Sequence, residues 1–454
     1  MTRMCFNRIA MLVSAAALWM LFPVRPAVAW GAQQSQQPTY TIPEYNAFQA
    51  CQTEKDLPGK LSCLDSFSTQ FPNSTLMPYV YQLYYQAYFQ QKNYSKTIYY
   101  VDKLAAMGSK VDQGALVQAL QDRVQAFSAS FDPKAPDAAD QLAKERDAAL
   151  QGATITQQLP KPANSTMSDA DFAQQKKPYI AFFYAAAGSA DFELKDYPAA
   201  VQAFESALAN NPTDAVSEYR LGLSYLALNP PQSLDGFWAL ARAINLKVPE
   251  ADEVQKYLRA KILAYEQPNC ENLADAQLSE LLQLAANSQD RPATYSIPSA
   301  ADLQKIAQAS TILTVMSDLQ AGGDKAKMTW LAICGAEFPE VVGKIIDVQK
   351  ADPTVDIMVF FGATQEEVQA ATAANMDVKV WTSAPPAGGT AAQETPQPDV
   401  LRLQKDDEIR FSGTLVSYDP SPFLLHWDQV KVDPTIIPPE EPGKRHVVHK
   451  PPTQ

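Results

Sequence analysis

The sequence predicts a mainly α-helical protein, an α-solenoid of paired helices followed by a small β-barrel. The 454 residues include only 17 glycines but 34 prolines, a composition typical of helices that end at prolines. Helical periodicity continues to about residue 319. After residues 321–323 it gives way to short segments rich in Val, Ile, Phe and Trp, which indicate strands.

At roughly 150 residues per domain, the length is typical of two or three units. The predicted organisation is a signal peptide (residues 1–29), a helical repeat domain (30–290), a connecting helix (291–328), a β-barrel domain (329–434) and a disordered Pro-rich tail (435–454).

The N-terminal segment predicts export. Arg3 and Arg8 precede an apolar run at residues 9–22, and residues 27–29 (Ala-Val-Ala) form a signal-peptidase site. The run is shorter than the ~20 residues that span a bilayer. We therefore expect a periplasmic or secreted protein with no membrane span after cleavage. An uncleaved anchor in the inner membrane is the alternative.

The mature chain would retain an even number of cysteines, which favours disulfides in an oxidising compartment: Cys51, Cys63, Cys270 and Cys334. Two helices predicted at residues 44–54 and 58–70 would form an antiparallel hairpin, with Cys51 and Cys63 about equally far from its turn. This geometry favours Cys51–Cys63. Cys270–Cys334 then follows by subtraction.

Residues 181–214 resemble the tetratricopeptide repeat (TPR) over its full 34-residue length. Tyr184 stands at the large position of the first helix, and Gly188 stands where the two helices touch. Phe204 lines the second helix and Pro212 ends it. The resemblance implies an array in which each repeat packs on its neighbours.

Weaker copies flank this repeat at residues 45–74, at 78–107 and from 215 onward. Tyr85 replaces the expected glycine in the second of these, and Asp191 replaces the usual aromatic residue in the clearest repeat. Further helices are predicted at residues 111–131, 137–151, 168–177, 250–265 and 273–286.

In TPR arrays the first helices line a concave, ligand-binding face, so the resemblance implies a peptide-binding groove. Its predicted residues are Tyr79, Gln82, Gln86, Phe89, Phe182, Ala185, Ser189, Phe192, Glu193, Val216, Tyr219, Leu223 and Leu226. The groove lacks the Lys/Asn pattern with which chaperone-binding repeats hold a C-terminal carboxylate. For the tyrosines between residues 79 and 100, packing between helices is the alternative interpretation.

The C-terminal domain is predicted to contain five strands, at residues 340–348, 355–361, 377–382, 408–418 and 423–432. A short helix is expected at 366–374 and a flexible loop at 385–398. Gly343 and Gly413 stand where a strand would bend sharply. Residues 406–427 (DDEIRFSGTLVSYDPSPFLLHW) are similar to exported OB-like domains related to the tRNA-anticodon-binding type.

The charge argues against nucleic acid as a partner. The net charge is −13, and removal of the three signal-peptide arginines would make it −16. Residues 329–434 carry 16 acids against 7 bases, whereas an oligonucleotide site needs a basic groove. The expected partners are other envelope or secreted proteins, bound through basic or aromatic peptide segments.

Nothing in the sequence predicts a catalytic, cofactor or metal site. The three histidines all lie in the final 29 residues, at His426, His446 and His449. No Ser/His/Asp set, CxxC, HExxH or phosphate-binding loop is found. We therefore expect a non-enzymatic adaptor or scaffold.

Two alternatives remain open. In the first alternative, the barrel binds cell-wall carbohydrate through Trp381, Tyr418 or Trp427. Otherwise the protein would be a structural, self-assembling envelope component whose groove is filled by its own tail, residues 437–454.

Overall fold

The computed structural model describes residues 39–384 and 395–440. The predicted signal peptide, most of the predicted loop at 385–398 and the end of the tail, with His446 and His449, lie outside the described residues. The chain divides into two compact units. Among the described residues, the helical unit contains 39–258 and 281–294, and the second unit contains 259–280 and the chain from 295 onward.

The helical unit is built from consecutive helix pairs. The helices are α1 (Ile42–Thr53), α2 (Leu57–Gln70), α3 (Met77–Gln90), α4 (Tyr94–Ala105), α5 (Gln113–Ser130), α6 (Ala138–Gln158), α7 (Asp169–Glu193), α8 (Tyr197–Asn210), α9 (Ala215–Ala227), α10 (Ser233–Asn245), α11 (Ala251–Glu266) and α12 (Leu273–Asn287). The end of α11 and the start of α12 belong to the second unit.

The packing order confirms a helical repeat array. From α1 to α10, each helix contacts the next one along the chain. In addition, α3 contacts α5, α5 contacts α7 and α7 contacts α9. The first helices of successive pairs therefore lie side by side, as stacked two-helix repeats require.

The clearest predicted repeat forms α7 and α8. A Cβ atom added at Gly188 would lie 3.0 Å from the Phe204 ring, so the missing side chain lets the two helices approach. In the next repeat, a Cβ atom at Gly222 would lie 2.7 Å from Leu240 and 3.0 Å from the carbonyl oxygen of Gly236. Both contacts are the close helix approach that the repeat pattern predicts.

Helix α7 is longer than the sequence predicts. Ser168 caps it by accepting a hydrogen bond from the Asp171 backbone N–H at 3.1 Å, as expected. The predicted helix at 168–177 then continues through Pro178 into the first helix of the repeat. The prediction of two separate helices was therefore wrong, because proline removed one helical donor without ending the helix.

The second unit contains α13 (Ala300–Ala309), α14 (Ile312–Ala321), α15 (Gly323–Ile333), β1 (Glu337–Ala351), β2 (Thr354–Phe360), α16 (Gln365–Ala370), β3 (Met376–Trp381), β4 (Glu408–Pro420) and β5 (Phe423–Val432). The five strands close into a barrel in the order β1-β2-β3-β5-β4, with β1 paired to β4. The β3–β5 pair is parallel and the other pairs are antiparallel. The predicted fold class, a helical repeat array followed by a small β-barrel, is confirmed.

The two strand glycines allow close approach between strands. A Cβ atom at Gly343 would lie 2.5 Å from Val359 and 2.8 Å from the carbonyl oxygen of Phe360. A Cβ atom at Gly413 would lie 3.0 Å from Val430, and the register of β4 shifts between Ser412 and Thr414. Bulges of this kind bend strands in small barrels.

The segment expected to be one connecting helix is three helices. The predicted helix at 300–319 is interrupted at Ser310, and Thr311 caps α14 with a capping box. Leu303 and Val315 share one core cluster with barrel residues such as Ile345. These helices therefore belong to the barrel's core.

Both predicted disulfides are present. The Cα atoms of Cys51 and Cys63 lie 5.3 Å apart, and those of Cys270 and Cys334 lie 5.8 Å apart. Such pairs fit an oxidising, extracytoplasmic compartment. Over residues 39–384 and 395–440, no helix has the length and apolar character needed to cross a bilayer.

Candidate peptide-binding groove

The predicted groove residues lie on the first helices α3, α7 and α9. Tyr79, at 55% exposed, and Glu193 are the most accessible of them. The half-buried members are Gln82, Gln86, Phe89, Phe182, Ala185, Ser189, Phe192, Val216, Leu223 and Leu226. Because α5 lies between α3 and α7, these helices can form one continuous face.

Two groove aromatics are held in the same way in two repeats. The Phe89 ring packs edge-on against Tyr94, with centroids 6.3 Å apart, and Phe192 packs edge-on against Tyr197 at 5.6 Å. In each repeat, the ring near the end of the first helix is held by the tyrosine that begins the second. These contacts fix the positions of the two half-buried rings.

Tyr219 does not fit the predicted role. Its side chain is only 4% exposed, so it packs inside the array instead of offering a ring to a ligand. Leu226 also packs between helices, because its Cγ atom would lie only 2.8 Å from a Cβ atom added at Gly236. The hydroxyl of Ser189 donates to the Ala185 carbonyl oxygen at 2.7 Å and is used within its own helix.

Much of the tyrosine cluster has a packing role. Tyr84 and Tyr100 stack with their centroids 4.2 Å apart, and Tyr88 stacks on Tyr100 at 5.6 Å. The Tyr84 hydroxyl donates to Asp65 at 2.6 Å, which ties α3 to α2. Burial raises the pKa of Tyr100 to about 12. For these rings the alternative interpretation, packing between helices, fits the structure.

Buried charges lie within the helical unit, and the sequence pattern did not predict them. Arg123 on α5 pairs with Asp102 at 2.6 Å and also with Glu145 on α6. Burial raises the pKa of Glu145 to about 7, although Arg123 opposes the shift. The Asp191 that replaces an aromatic residue lies 3.9 Å from Arg146, and burial raises its pKa to about 6. The helical periodicity found α5 and α6 but gave no signal for these pairs.

A small recess opens among α5, α6, α7 and α9, and its volume is about 50 Å³. Arg220, only 6% exposed, lines it together with Phe127 and Phe131. The predicted groove residues Ser189 and Glu193 line it as well. The structure thus brings two predicted groove residues together with a buried cation that the prediction missed. The one sequence signal for this cation is that Arg220 stands 34 residues after Ala186, so that an arginine takes the place of a small residue one repeat earlier.

The barrel residues expected to contact carbohydrate have different surroundings. Trp427 is 1% exposed and packs against Phe338 and Phe411. The prediction that it contacts a ligand was therefore wrong. Tyr418 is half-buried and lies edge-on to Trp330, with centroids 5.0 Å apart, in the lining of a 320 Å³ cavity.

Trp381 is half-buried on β3, with the ammonium of Lys379 5.8 Å from its ring centroid. His426 lies between two carboxylates. Its Nδ1 is 3.1 Å from Asp377 and its Nε2 is 3.0 Å from Asp419.

Comparisons with known proteins add little. No protein-family model matches the sequence, and no curated protein matches it significantly. Among solved structures, the C-terminal part of a TPR repeat-containing protein from Cytophaga hutchinsonii is similar over 55% of this chain and 96% of that chain. The identity is 13% and the TM-score is 0.25, so this similarity adds nothing to the architecture described above.

Proposed function

We propose that the protein is a non-enzymatic, exported adaptor whose helical unit binds a peptide segment or helix of another envelope or secreted protein. One observation carries the proposal: the first helices α3, α5, α7 and α9 contact one another in sequence. Their common face keeps partly exposed aromatic rings, including Tyr79, Phe89 and Phe182. In repeat arrays such a face is the surface left over after the repeats have stacked.

Export and partner charge complete the proposal. The signal-like N-terminal residues and the two disulfides support a periplasmic or secreted location. A net charge near −16 after cleavage favours partner segments that are basic overall. Binding is then expected to weaken as salt rises, because salt screens charges that remain in contact with solvent.

The barrel is proposed to be of the OB type. The strand order β1-β2-β3-β5-β4 and the parallel β3–β5 pair support this assignment. Its acidic composition favours a role other than oligonucleotide binding. The cavity beside Trp330 and Tyr418 supports carbohydrate binding as a second candidate function, which polysaccharide pull-down with Tyr418→Ser as the control would test.

The primary test is affinity capture from envelope extract. The bait is the full mature chain, and the test variant is Phe89→Ser/Phe182→Ser. Tyr99→Ser is the matched control, since Tyr99 is an exposed aromatic residue on the second helix α4. Tyr219 is left unchanged because its burial would make the substitution a stability test. We expect the native chain and Tyr99→Ser to retain a partner protein that the double variant does not retain. Equal retention by all three baits would contradict the groove.

A further inference from the structure

The guanidinium of Arg220 is a buried cation without a local counter-ion. Arg220 lies on α9 and is 6% exposed. Among the described residues, none accepts a hydrogen bond from its side chain, and no carboxylate oxygen comes within 4.0 Å. The other buried arginine in this region, Arg123, has both Asp102 and Glu145. The nitrogens of Arg220 are absent from the fully enclosed polar atoms without partners, so they open on the recess that Arg220 lines. A charge with so little access to water is costly unless an anion pairs with it.

The other charges near the recess do not neutralise Arg220. Glu193 is the acid with the largest electrostatic effect on it, but Glu193 is exposed and screened by water. Glu145 also lines the recess, with its Oε1 lacking a hydrogen-bond partner among the described residues, but its charge is opposed by Arg123. Asp102 already pairs with Arg123, and burial raises the pKa of Glu145 to about 7. Where Glu145 is protonated, the buried charge that remains uncompensated is therefore that of Arg220.

The recess has the size and lining for a small anionic group beside an aromatic one. Its 50 Å³ exceeds the ~10–15 Å³ that a single water requires, so one carboxylate group can enter. At its edge the Phe127 and Phe131 rings stack with centroids 4.9 Å apart. No lysine or asparagine is among the described lining residues, so the recess differs from the Lys/Asn clamp of chaperone-binding repeats.

We propose that Arg220 receives a carboxylate of the bound partner, with a neighbouring aromatic side chain of the partner packing on Phe127 and Phe131. The inference rests on the proposed groove function and specifies the chemistry of its partner. A segment that is basic overall would place one carboxylate in the recess, where a planar guanidinium donates paired hydrogen bonds. The carboxylate belongs to an acidic side chain or to a chain terminus, and these two sources are separable.

The probes are small peptides, and the full mature chain is the receptor. N-acetyl-phenylalanine supplies a terminal carboxylate, and acetyl-Asp-Phe-amide supplies a side-chain carboxylate. Acetyl-Asn-Phe-amide is the uncharged control. Binding is followed by saturation-transfer NMR. We expect at least one acidic probe to bind at least tenfold more tightly than the control, and the tighter of the two identifies the source.

Variants assign the binding to Arg220. Arg220→Met should weaken the acidic probe at least tenfold, while Glu193→Gln should tighten it, because a competing negative charge is removed. Lys195→Gln, which removes an exposed cation two residues after Glu193, should leave the affinity unchanged. Arg220→Met should also raise the Tm, because no buried charge remains uncompensated. If Arg220→Met fails to fold, Arg220→Lys serves instead and should weaken binding several-fold.

Three results would overturn the inference: no binding of either acidic probe, equal binding of the Asn control, or affinity unchanged by the Arg220 variants. If ordered water alone fills the space between Arg220 and Glu145, neither acidic probe will bind. None of these results affects the proposed function, which depends on partner retention by the native chain and its loss with Phe89→Ser/Phe182→Ser. The proposed function would instead be contradicted if Phe89→Ser/Phe182→Ser captured the partner as well as the native chain does.

Discussion

Arg123 and Glu145 form an ion pair inside the helical unit, and each side chain is only 3% exposed. The pair joins α5 to α6, and Arg123 also reaches Asp102 on α4. Three consecutive helices thus meet at one guanidinium. Removing one partner of a buried pair is costly, whereas replacing both by apolar groups is often neutral.

Arg123→Met is therefore expected to destabilise the protein by about 3 kcal/mol at pH 8. The loss should be smaller at pH 5, because Glu145 is then protonated and carries no charge. The double variant Arg123→Met/Glu145→Met should recover most of the loss. Urea unfolding of the single and double variants at both pH values measures this, and a double variant as unstable as Arg123→Met would contradict it.

The close approach of α9 and α10 predicts a specific effect of adding a methyl group. Gly222→Ala is expected to cost about 1–3 kcal/mol, since the new atom would meet the Gly236 backbone as well as Leu240. Ala227→Ser, at an exposed position near the end of the same helix, should change stability by less than about 0.5 kcal/mol. Thermal melts of the two variants provide the comparison, and equal melting temperatures would argue against a tight contact.

Glu266 predicts a pH dependence of stability. It is fully buried, its Oε1 accepts from the Gln277 amide at 2.8 Å, and burial raises its pKa from 4.5 to about 7. The folded state thus binds this proton more tightly than the unfolded chain. Its contribution is complete below about pH 4.5 and is lost as the pH rises through about 7.

Glu266→Gln should remove this component, so the native Tm should fall relative to that of the variant between pH 5 and pH 8. Each kcal/mol lost corresponds to about 2–4 °C. The control is Glu271→Gln, an exposed glutamate in the same unit, which should track the native protein. A Tm difference between native and Glu266→Gln proteins that stays constant across this range would contradict the assignment.

The two disulfides should differ in their contribution. Cys51 and Cys63 are 12 residues apart, whereas Cys270 and Cys334 are 64 apart. Replacing either pair by alanine is expected to cost about 2–4 kcal/mol, with the longer loop costing about 1.5 kcal/mol more on chain-entropy grounds. Denaturant unfolding of both double variants tests the order, and no loss in either would mean that the crosslinks do not constrain the unfolded chain.

Much of the architecture could be predicted from the sequence because it depends on local patterns. Gly188 and Phe204 stand at fixed repeat spacing, and alternation on β4 marks Ile409 and Phe411 as one buried face. The recess could not be predicted, since it requires α5, α6, α7 and α9 to be placed together. Arg220 stands at the repeat position of a small residue, and nothing local shows whether a counter-ion will be near.

For Tyr219 and Trp427 the sequence predicted ligand contacts that the structure does not support. Each was expected to contact a ligand because an aromatic residue stood at a favourable position in a helix or strand. In the structure both rings are buried. A large apolar side chain gains more from burial than from partial exposure, and the pattern alone does not distinguish the two faces when both carry aromatic residues.

The most direct test of the adaptor proposal is site-specific photo-crosslinking in the source cells. A benzophenone amino acid replaces Tyr79 or Ala185 on the first helices, and Tyr99 or Gln202 on the second helices. The proposal predicts crosslinks to the same protein from both first-helix positions and none from the second-helix positions. Crosslinks that form only from Tyr99 or Gln202 would contradict a binding surface on the first helices.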